Sequence, residues 1–181
     1  MIITAGTYKG RKINAPDENI VRPTLSKARE GIFSVLFSMI DFEEKSFLDM
    51  FAGSGIMGLE ALSRGFQSVL ALEKNPKVAR ILKENYERLG LDANLIVGDS
   101  LKVLSKTDKT FDVIYIDPPY FGGVYEKSLE VIKNKSLVNK ESIIILEHVT
   151  DVDWESYGFK LIKQKTYSKK FITFLSCELA V

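Results

Sequence analysis

The run LDMFAGSGIMGLEAL, residues 48–62, constrains the fold more tightly than any other stretch of the chain. SFLDMF (46–51) is short, apolar and closed by a glycine loop, which predicts a buried strand. Gly53-x-Gly55-x-x-Gly58 follows. IMGLEALSRG then carries apolar residues at Ile56, Leu59, Ala61 and Leu62, with Gly65 at its end, which predicts a helix. Strand, tight glycine turn and helix make up the opening unit of an open α/β sheet that seats a nucleotide-like ligand.

The rest of the chain repeats that alternation. SVLALE (68–73), NLIVGD (94–99), FDVIYID (111–117) and SIIILEHV (142–149) read as further strands. Asn75–Pro76 reads as an N-cap and first-turn proline of a helix running to about Leu89, stopped by Gly90. A helix over roughly 125–135 separates the last two of those strands. FKLIKQKTY (159–167) and KFITFLSCEL (170–179) alternate apolar with polar residues across a very short connection, and predict an antiparallel hairpin. The expectation is an α/β, Rossmann-like, mostly parallel seven-stranded sheet that finishes antiparallel. At the front, IITAGTYKGRKI predicts a small hairpin turning at Lys9–Gly10. Thr24 or Ser26 then caps a helix with the stripe Leu25, Ala28, Ile32, Val35, Leu36, Met39. Residues 1–42 are thus expected to be an N-terminal extension and 43–181 the main domain.

No apolar run approaches the ~20 residues that cross a bilayer, and the N-terminal apolar stretch is too short for a signal peptide. The single cysteine, Cys177, fits a reducing cytoplasm. With 25 basic against 24 acidic residues no global field selects a partner. The ends are locally basic: Lys9, Arg11, Lys12, Arg22, Lys27 and Arg29 in front, and Lys160, Lys163, Lys165, Lys169 and Lys170 behind. Brought together they would grip phosphates; kept apart they are solvated faces.

The acids at the strand ends narrow the ligand. Asp49, beside the glycine loop, would repel a pyrophosphate resting on the helix N-terminus. S-adenosylmethionine carries an ammonium and a sulfonium and no phosphate, so a carboxylate there suits it better. Glu73 closes the second strand, where it can accept both ribose hydroxyls. Asp99 closes the third, within reach of an adenine amino group, with Ser100 alongside.

YIDPPY (115–120) completes the constellation. Pro118 and Pro119 exclude both helix and a central ladder, so they hold a rigid turn at the strand end. The Asp117 carboxylate and the Pro118 carbonyl can each accept an N–H of a planar exocyclic amine. Tyr120 offers a ring for a base to stack on, worth about 1–3 kcal/mol. This chemistry needs no metal and no nucleophilic side chain. His148, on an apolar strand, and Cys177 read as structural.

The segments GTYKGRKI, RPTLSKAREGIF (22–33), LDMFAGSGIMGLEALSRG (48–65), ALEKN (71–75), VGDS (97–100) and FDVIYIDPPY (111–120) span nearly the whole chain. They resemble class I S-adenosylmethionine-dependent methyltransferases of the amino type, with DxFxGSG and [DN]PP[YFW] signatures. More narrowly, they are similar to the bacterial 16S rRNA guanine-N(2) methyltransferases. The resemblance implies the class I methyltransferase fold and methylation of the 2-amino group of a guanine in 16S rRNA. Asp49, Phe51, Gly53, Ser54, Gly55, Glu73, Lys74, Asp99 and Ser100 would then hold S-adenosylmethionine. Asp117, Pro118 and Tyr120 would hold the guanine, and Arg22, Pro23 and Thr24 would border the site. Arg22 suits a phosphate or a base edge, and alternatively a structural ion pair with Glu30 or another acid. Lys169 and Lys170 are expected to face RNA. The implied partner is 16S rRNA, the small ribosomal subunit or an assembly intermediate, met by a cytoplasmic monomer without metal or membrane.

The tail departs from the family, which tends to place Tyr-Gly and small or polar residues where this chain has Tyr167-Ser-Lys-Lys-Phe171. The rival readings are a DNA adenine amino-methyltransferase, which here lacks an inserted recognition domain, and a non-catalytic RNA-binding assembly module. Protein glutamine methylation generally goes with Asn at position 117, and a dehydrogenase rests on the three glycines alone.

Overall fold

The computed structural model describes residues 1–16, 26–119 and 122–177. Five strands run parallel: β1 (Ser46–Asp49), β2 (Ser68–Glu73), β3 (Leu95–Val97), β4 (Val113–Ile116) and β5 (Ile143–His148). A hairpin of β6 (Phe159–Tyr167) and β7 (Lys170–Cys177) joins antiparallel through β7, giving the order β3-β2-β1-β4-β5-β7-β6. The expected seven-stranded, mostly parallel sheet with an antiparallel C-terminal hairpin is therefore what forms, and β7 alone runs against the other six strands. Its order reverses at β1, where chain direction sends successive crossovers to opposite sides.

The central strands β1, β2, β4 and β5 are buried on both faces, and their period of two sorts side chains into two layers. Leu48, Leu70, Leu72, Ile114, Ile116, Ile144 and Leu146 face α4 (Ser100–Leu104) and α5 (Val124–Asn134). Phe47, Val69, Val113, Tyr115, Ile143, Ile145, Ile172 and Phe174 face α1 (Ser26–Phe37) and α2 (Ile56–Ser63). α3 (Pro76–Glu87) packs Leu82 and Tyr86 against Ile56, Leu59 and Ala71. It starts as expected: Pro76 is its first residue and Asn75 Oδ1 accepts from the Lys77 amide at 2.9 Å. α4 has no counterpart in the sequence reading, because five residues are too few to display a helical stripe.

The N-terminal hairpin forms with a single ladder bridge, Ile2 to Lys12, and its Ile3 and Ile13 close the third apolar cluster. A buried carboxylate holds it to α2. Glu60 accepts from the Thr4 amide and hydroxyl, the Ala5 amide, Arg29 Nε at 3.1 Å and Arg64 Nε at 2.9 Å. Burial alone would raise the Glu60 pKa, but the Thr4 donors and the Arg64 guanidinium outweigh it and hold it below the ordinary value. Arg29 also reaches the Ile2 carbonyl at 2.6 Å, so α1 joins the same tie. On its other side α1 meets the C-terminal hairpin, where a Cβ at Gly31 would overlap the Tyr167 hydroxyl. Ala28, Ile32, Val35 and Leu36 of the expected α1 stripe are buried, and Met39 is half-buried beyond the helix end. The stripe's Leu25 and the alternative cap Thr24 lie outside the described residues.

Candidate active site

The carboxyl ends of β1, β2, β4 and β5 converge on one edge of the sheet. Asp49, the last residue of β1, is 1% exposed, and among the described residues neither of its oxygens has a hydrogen-bond partner. Burial raises its pKa to about 7, the nearby Phe51 and Gly58 amides offset part of the rise, and the Glu73 charge adds to it. An unpaired carboxylate in the interior opposes folding, so its retention points to a compensating cation.

The loop beside it is shaped by close packing. Gly55 precedes α2 with φ 79°, and a Cβ there would meet Leu82 Cγ at 2.7 Å. No N-cap side chain caps α2, and its first-turn Gly58 amide faces Asp49. Glu73 braces the loop from β2: Oε2 accepts from the Gly53 amide at 2.9 Å and Oε1 from the Asn75 amide at 2.7 Å. Ser54 is buried, and its carbonyl accepts from Asn85 Nδ2 at 2.9 Å, as does the Asn14 carbonyl. Asn85 thus joins the glycine loop to the N-terminal segment, a role the sequence pattern did not reveal. Phe51 is half-buried against the core.

Asp99 caps α4, accepting from the Lys102 amide at 3.2 Å and pairing with Lys74 at 3.3 Å. The Lys102 amide is the main cause holding its pKa below the ordinary value, with Lys74 assisting. Ser100 is buried and its hydroxyl donates to the Met50 carbonyl at 2.5 Å, which fixes α4 against the end of β1. Both residues therefore sit at the expected edge with structural work of their own.

β4 pairs with β1, so Asp117 and Asp49 share the crevice, as expected of the fourth strand. Asp117 is pushed well above the usual carboxylate range by burial first and by Glu147 second, while Lys170 pulls it down and Asp49 adds to the rise. Pro118 is buried beside it. Glu147, on β5, is 1% exposed. It accepts from the Tyr115 hydroxyl at 2.5 Å and from the Lys170 ammonium, while the Tyr125 hydroxyl donates to its backbone carbonyl at 2.7 Å. Lys170 Nζ lies 3.9 Å from Asp117 Oδ2. Lys170, expected on the RNA-facing surface, is thus drawn into the site, whereas Lys169 stays exposed in the hairpin turn. Glu147 was missed, although a carboxylate inside the apolar run IIILEH is a signal that sequence carries.

Arg22, Pro23, Thr24 and Tyr120 lie outside the described residues. His148 has both ring nitrogens occupied, by the Thr150 carbonyl at 2.7 Å and the Thr173 hydroxyl at 2.8 Å, in keeping with a structural residue. Cys177 is half-buried against the core, and burial raises its thiol pKa. Among the described residues no cluster of acids, histidines or cysteine could hold a metal, and no helix is long and apolar enough to cross a membrane.

A glycine loop after the central strand and a reversed seventh strand define the class I methyltransferase fold, and solved structures agree. A Haemophilus influenzae protein described as a candidate methylase superposes with a TM-score of 0.80 at 28% identity over 98% of both chains. An Escherichia coli protein described as a candidate methyltransferase reaches 0.85 over the same share at 24% identity, which bears on fold alone. The chain belongs to the family described as conserved hypothetical protein 95, whose profile matches residues 1–176. Its relatives include the ribosomal RNA small subunit methyltransferase D of Buchnera aphidicola, 36% identical over 90% of this chain and 88% of that one. The Escherichia coli protein of the same name is 28% identical over 91% and 86%. The family resemblance read from the motifs holds.

Proposed function

We propose that this chain transfers a methyl group from S-adenosylmethionine to the exocyclic 2-amino group of a guanine in 16S rRNA of the small ribosomal subunit. The observation that carries the reading is the buried, unpartnered Asp49 carboxylate beside the glycine loop, with Asp117 of the Asp-Pro-Pro turn in the same crevice. The names of the relatives support ribosomal RNA as the substrate class.

The residues suit such a cofactor. Asp49 offers its orphaned carboxylate to a cation, the Gly53–Gly55 loop and Ser54 offer close backbone approach, and Glu73 keeps lone pairs for hydroxyls beyond its two backbone bonds. Asp99, Ser100, Phe51 and Lys74 border it from the ends of β1, β2 and β3. When bound, S-adenosylmethionine supplies an electrophilic methyl group on a sulfonium and leaves as a neutral thioether. Asp117 and the Pro118 carbonyl accept the N–H groups of the amine and aim its lone pair. Half-buried beside Glu147, Asp117 has the proton affinity to take the proton that the nitrogen gives up on methylation. The family resemblance assigns the stacking ring to Tyr120 and the border of the site to Arg22, Pro23 and Thr24. Arg29 of α1 bonds the N-terminal hairpin and Gly31 of α1 meets Tyr167 of the C-terminal hairpin, which supports a reading in which basic residues of both ends, Lys169 among them, meet the RNA.

The test is transfer of tritiated methyl groups to small subunits from cells lacking the protein, followed by mapping of the modified nucleotide. Label at N2 of one guanine of 16S rRNA is the expected result. Label only in duplex DNA, or none in RNA, would sink the reading.

A further inference from the structure

Glu147 poses a problem that the fold does not explain. It is a carboxylate on a strand buried on both faces, and a well-packed apolar residue would serve stability as well or better. Its partners are specific. Tyr115 donates to it from the neighbouring strand β4, two residues before Asp117, and Lys170 reaches it from the first position of β7. That same ammonium lies 3.9 Å from Asp117 Oδ2 and keeps only 29% exposure. The tail segment that departs from the family pattern therefore ends inside the crevice, on the carboxylate that the reading above assigns to the amine.

We propose that Lys170 and Glu147 are positioning residues that fix where the Asp117 carboxylate points and over which pH range it is ionised. The proposal rests on the functional reading given above. The groups facing Asp117 are Glu147 from β5, Lys170 from β7, Asp49 from β1 and Tyr125 from α5, with Tyr115 acting through Glu147. The acids Glu147 and Asp49 oppose ionisation of Asp117, and Lys170 favours it. Lys170 holds the two carboxylates together across β5 and β7, so Asp117 does not need the substrate to find its geometry. The two residues thus act on Asp117 with opposite sign, a difference that a pH profile of methyl transfer can read.

The experiment uses the full chain as wild type, Lys170→Met, Lys170→Arg and Glu147→Gln. Single-turnover methyl transfer to unmodified small subunits is measured against pH at saturating S-adenosylmethionine. The acid limb of the profile is expected to move up by about one pH unit in Lys170→Met, which is tenfold in rate below the limb. It should move down in Glu147→Gln and return close to wild type in Lys170→Arg, with cofactor affinity within about twofold throughout. Limbs that stay in place, or move the same way in both variants, overturn the proposal. Carboxyl carbon NMR of the same proteins follows the Asp117 titration without any substrate. An Asp117 titration raised in Lys170→Met and lowered in Glu147→Gln supports the proposal, and an unchanged one overturns it. A wild type that transfers nothing to RNA overturns the functional reading instead, and the NMR titration still decides the role of Lys170.

Discussion

Glu73 Oε2 accepts a hydrogen bond from the Gly53 amide at 2.9 Å, which makes the acid at the end of β2 part of the glycine loop after β1. Its other oxygen accepts from the Asn75 amide at the start of α3, so one carboxylate holds two backbone turns. Removing it leaves two donors without partners at a half-buried edge. Glu73→Ala is expected to lower stability by about 1–3 kcal/mol and to weaken S-adenosylmethionine binding by at least tenfold. Glu73→Gln keeps one acceptor oxygen and should fall between. Calorimetric titration and thermal unfolding of the two variants would check this; affinity unchanged in Glu73→Ala would remove Glu73 from the cofactor site.

Asp49 should display the opposite balance, with function maintained at the expense of stability. Its pKa of about 7 lies above the ordinary 3.8, so between those values the folded chain binds this proton more tightly than the unfolded one. Stability therefore falls as pH rises from about 4 to about 7 and stays lower above that. Asp49→Asn is expected to gain up to about 4 kcal/mol at pH 8, roughly 8–16 °C in Tm, and nothing at pH 3. S-adenosylmethionine should raise the Tm of the wild type at pH 8 and leave the variant unmoved. Equal Tm values for the two proteins at pH 8 would mean that Asp49 is already compensated within the fold.

The parallel sheet and the glycine loop were legible because β-strand burial and turn chemistry are local signals. SVLALE and IIILEH are apolar runs of strand length, and Asn75–Pro76 announces its helix in two residues. The acids Asp49, Glu73 and Asp117 were legible for a related reason, since Asp49 and Glu73 close their strands and Asp117 directly follows one, and the pattern defines those ends. What stayed hidden depends on register between distant segments. Lys170 meets Glu147 only because β7 pairs antiparallel to β5, with Glu147 opposite Ile172. Asn85 reaches Ser54 and Asn14 only through the packing of α3. α4 was too short to carry a period, and Asp99, read as a ligand for adenine, is also its cap.

The Glu60 cluster gives a stability prediction away from the crevice. Glu60 and Arg29 are both fully buried, and Glu60 collects donors from the hairpin, α1 and α2. Glu60→Gln keeps the shape and removes the charge that Arg29 Nε meets at 3.1 Å in the interior, and breaking a buried pair in this way is expected to cost about 3–5 kcal/mol. Because the Glu60 pKa is depressed, its contribution is present above the ordinary glutamate range and is lost as pH falls through the folded value. Amide exchange at Thr4 and Ala5 should accelerate first in acid. Protection there that persists in Glu60→Gln would show that apolar packing of Ile3 and Ile13 suffices to hold the hairpin.

Gly31 and Tyr167 form the contact between α1 and the C-terminal hairpin, and they can be tested as a pair. A methyl group at position 31 would overlap the Tyr167 hydroxyl, so Gly31→Ala must displace the ring, although alanine is the better helix former. Overpacking of this kind costs about 1–3 kcal/mol, partly offset by helix propensity. The ring sits at the end of β6, three residues before Lys170, so its displacement should also disturb the turn that delivers Lys170 to Glu147. Gly31→Ala is therefore expected to slow methyl transfer severalfold as well as to lower Tm. Tyr167→Phe removes the nearest overlapping oxygen but keeps Cζ, 2.5 Å from the added methyl, so the double variant should recover only part of both losses. Thermal unfolding and single-turnover rates of the two single variants and the double variant make the cycle complete. Strict additivity in it would show that the residues do not meet, and that Lys170 is positioned by β5 and β7 without help from α1.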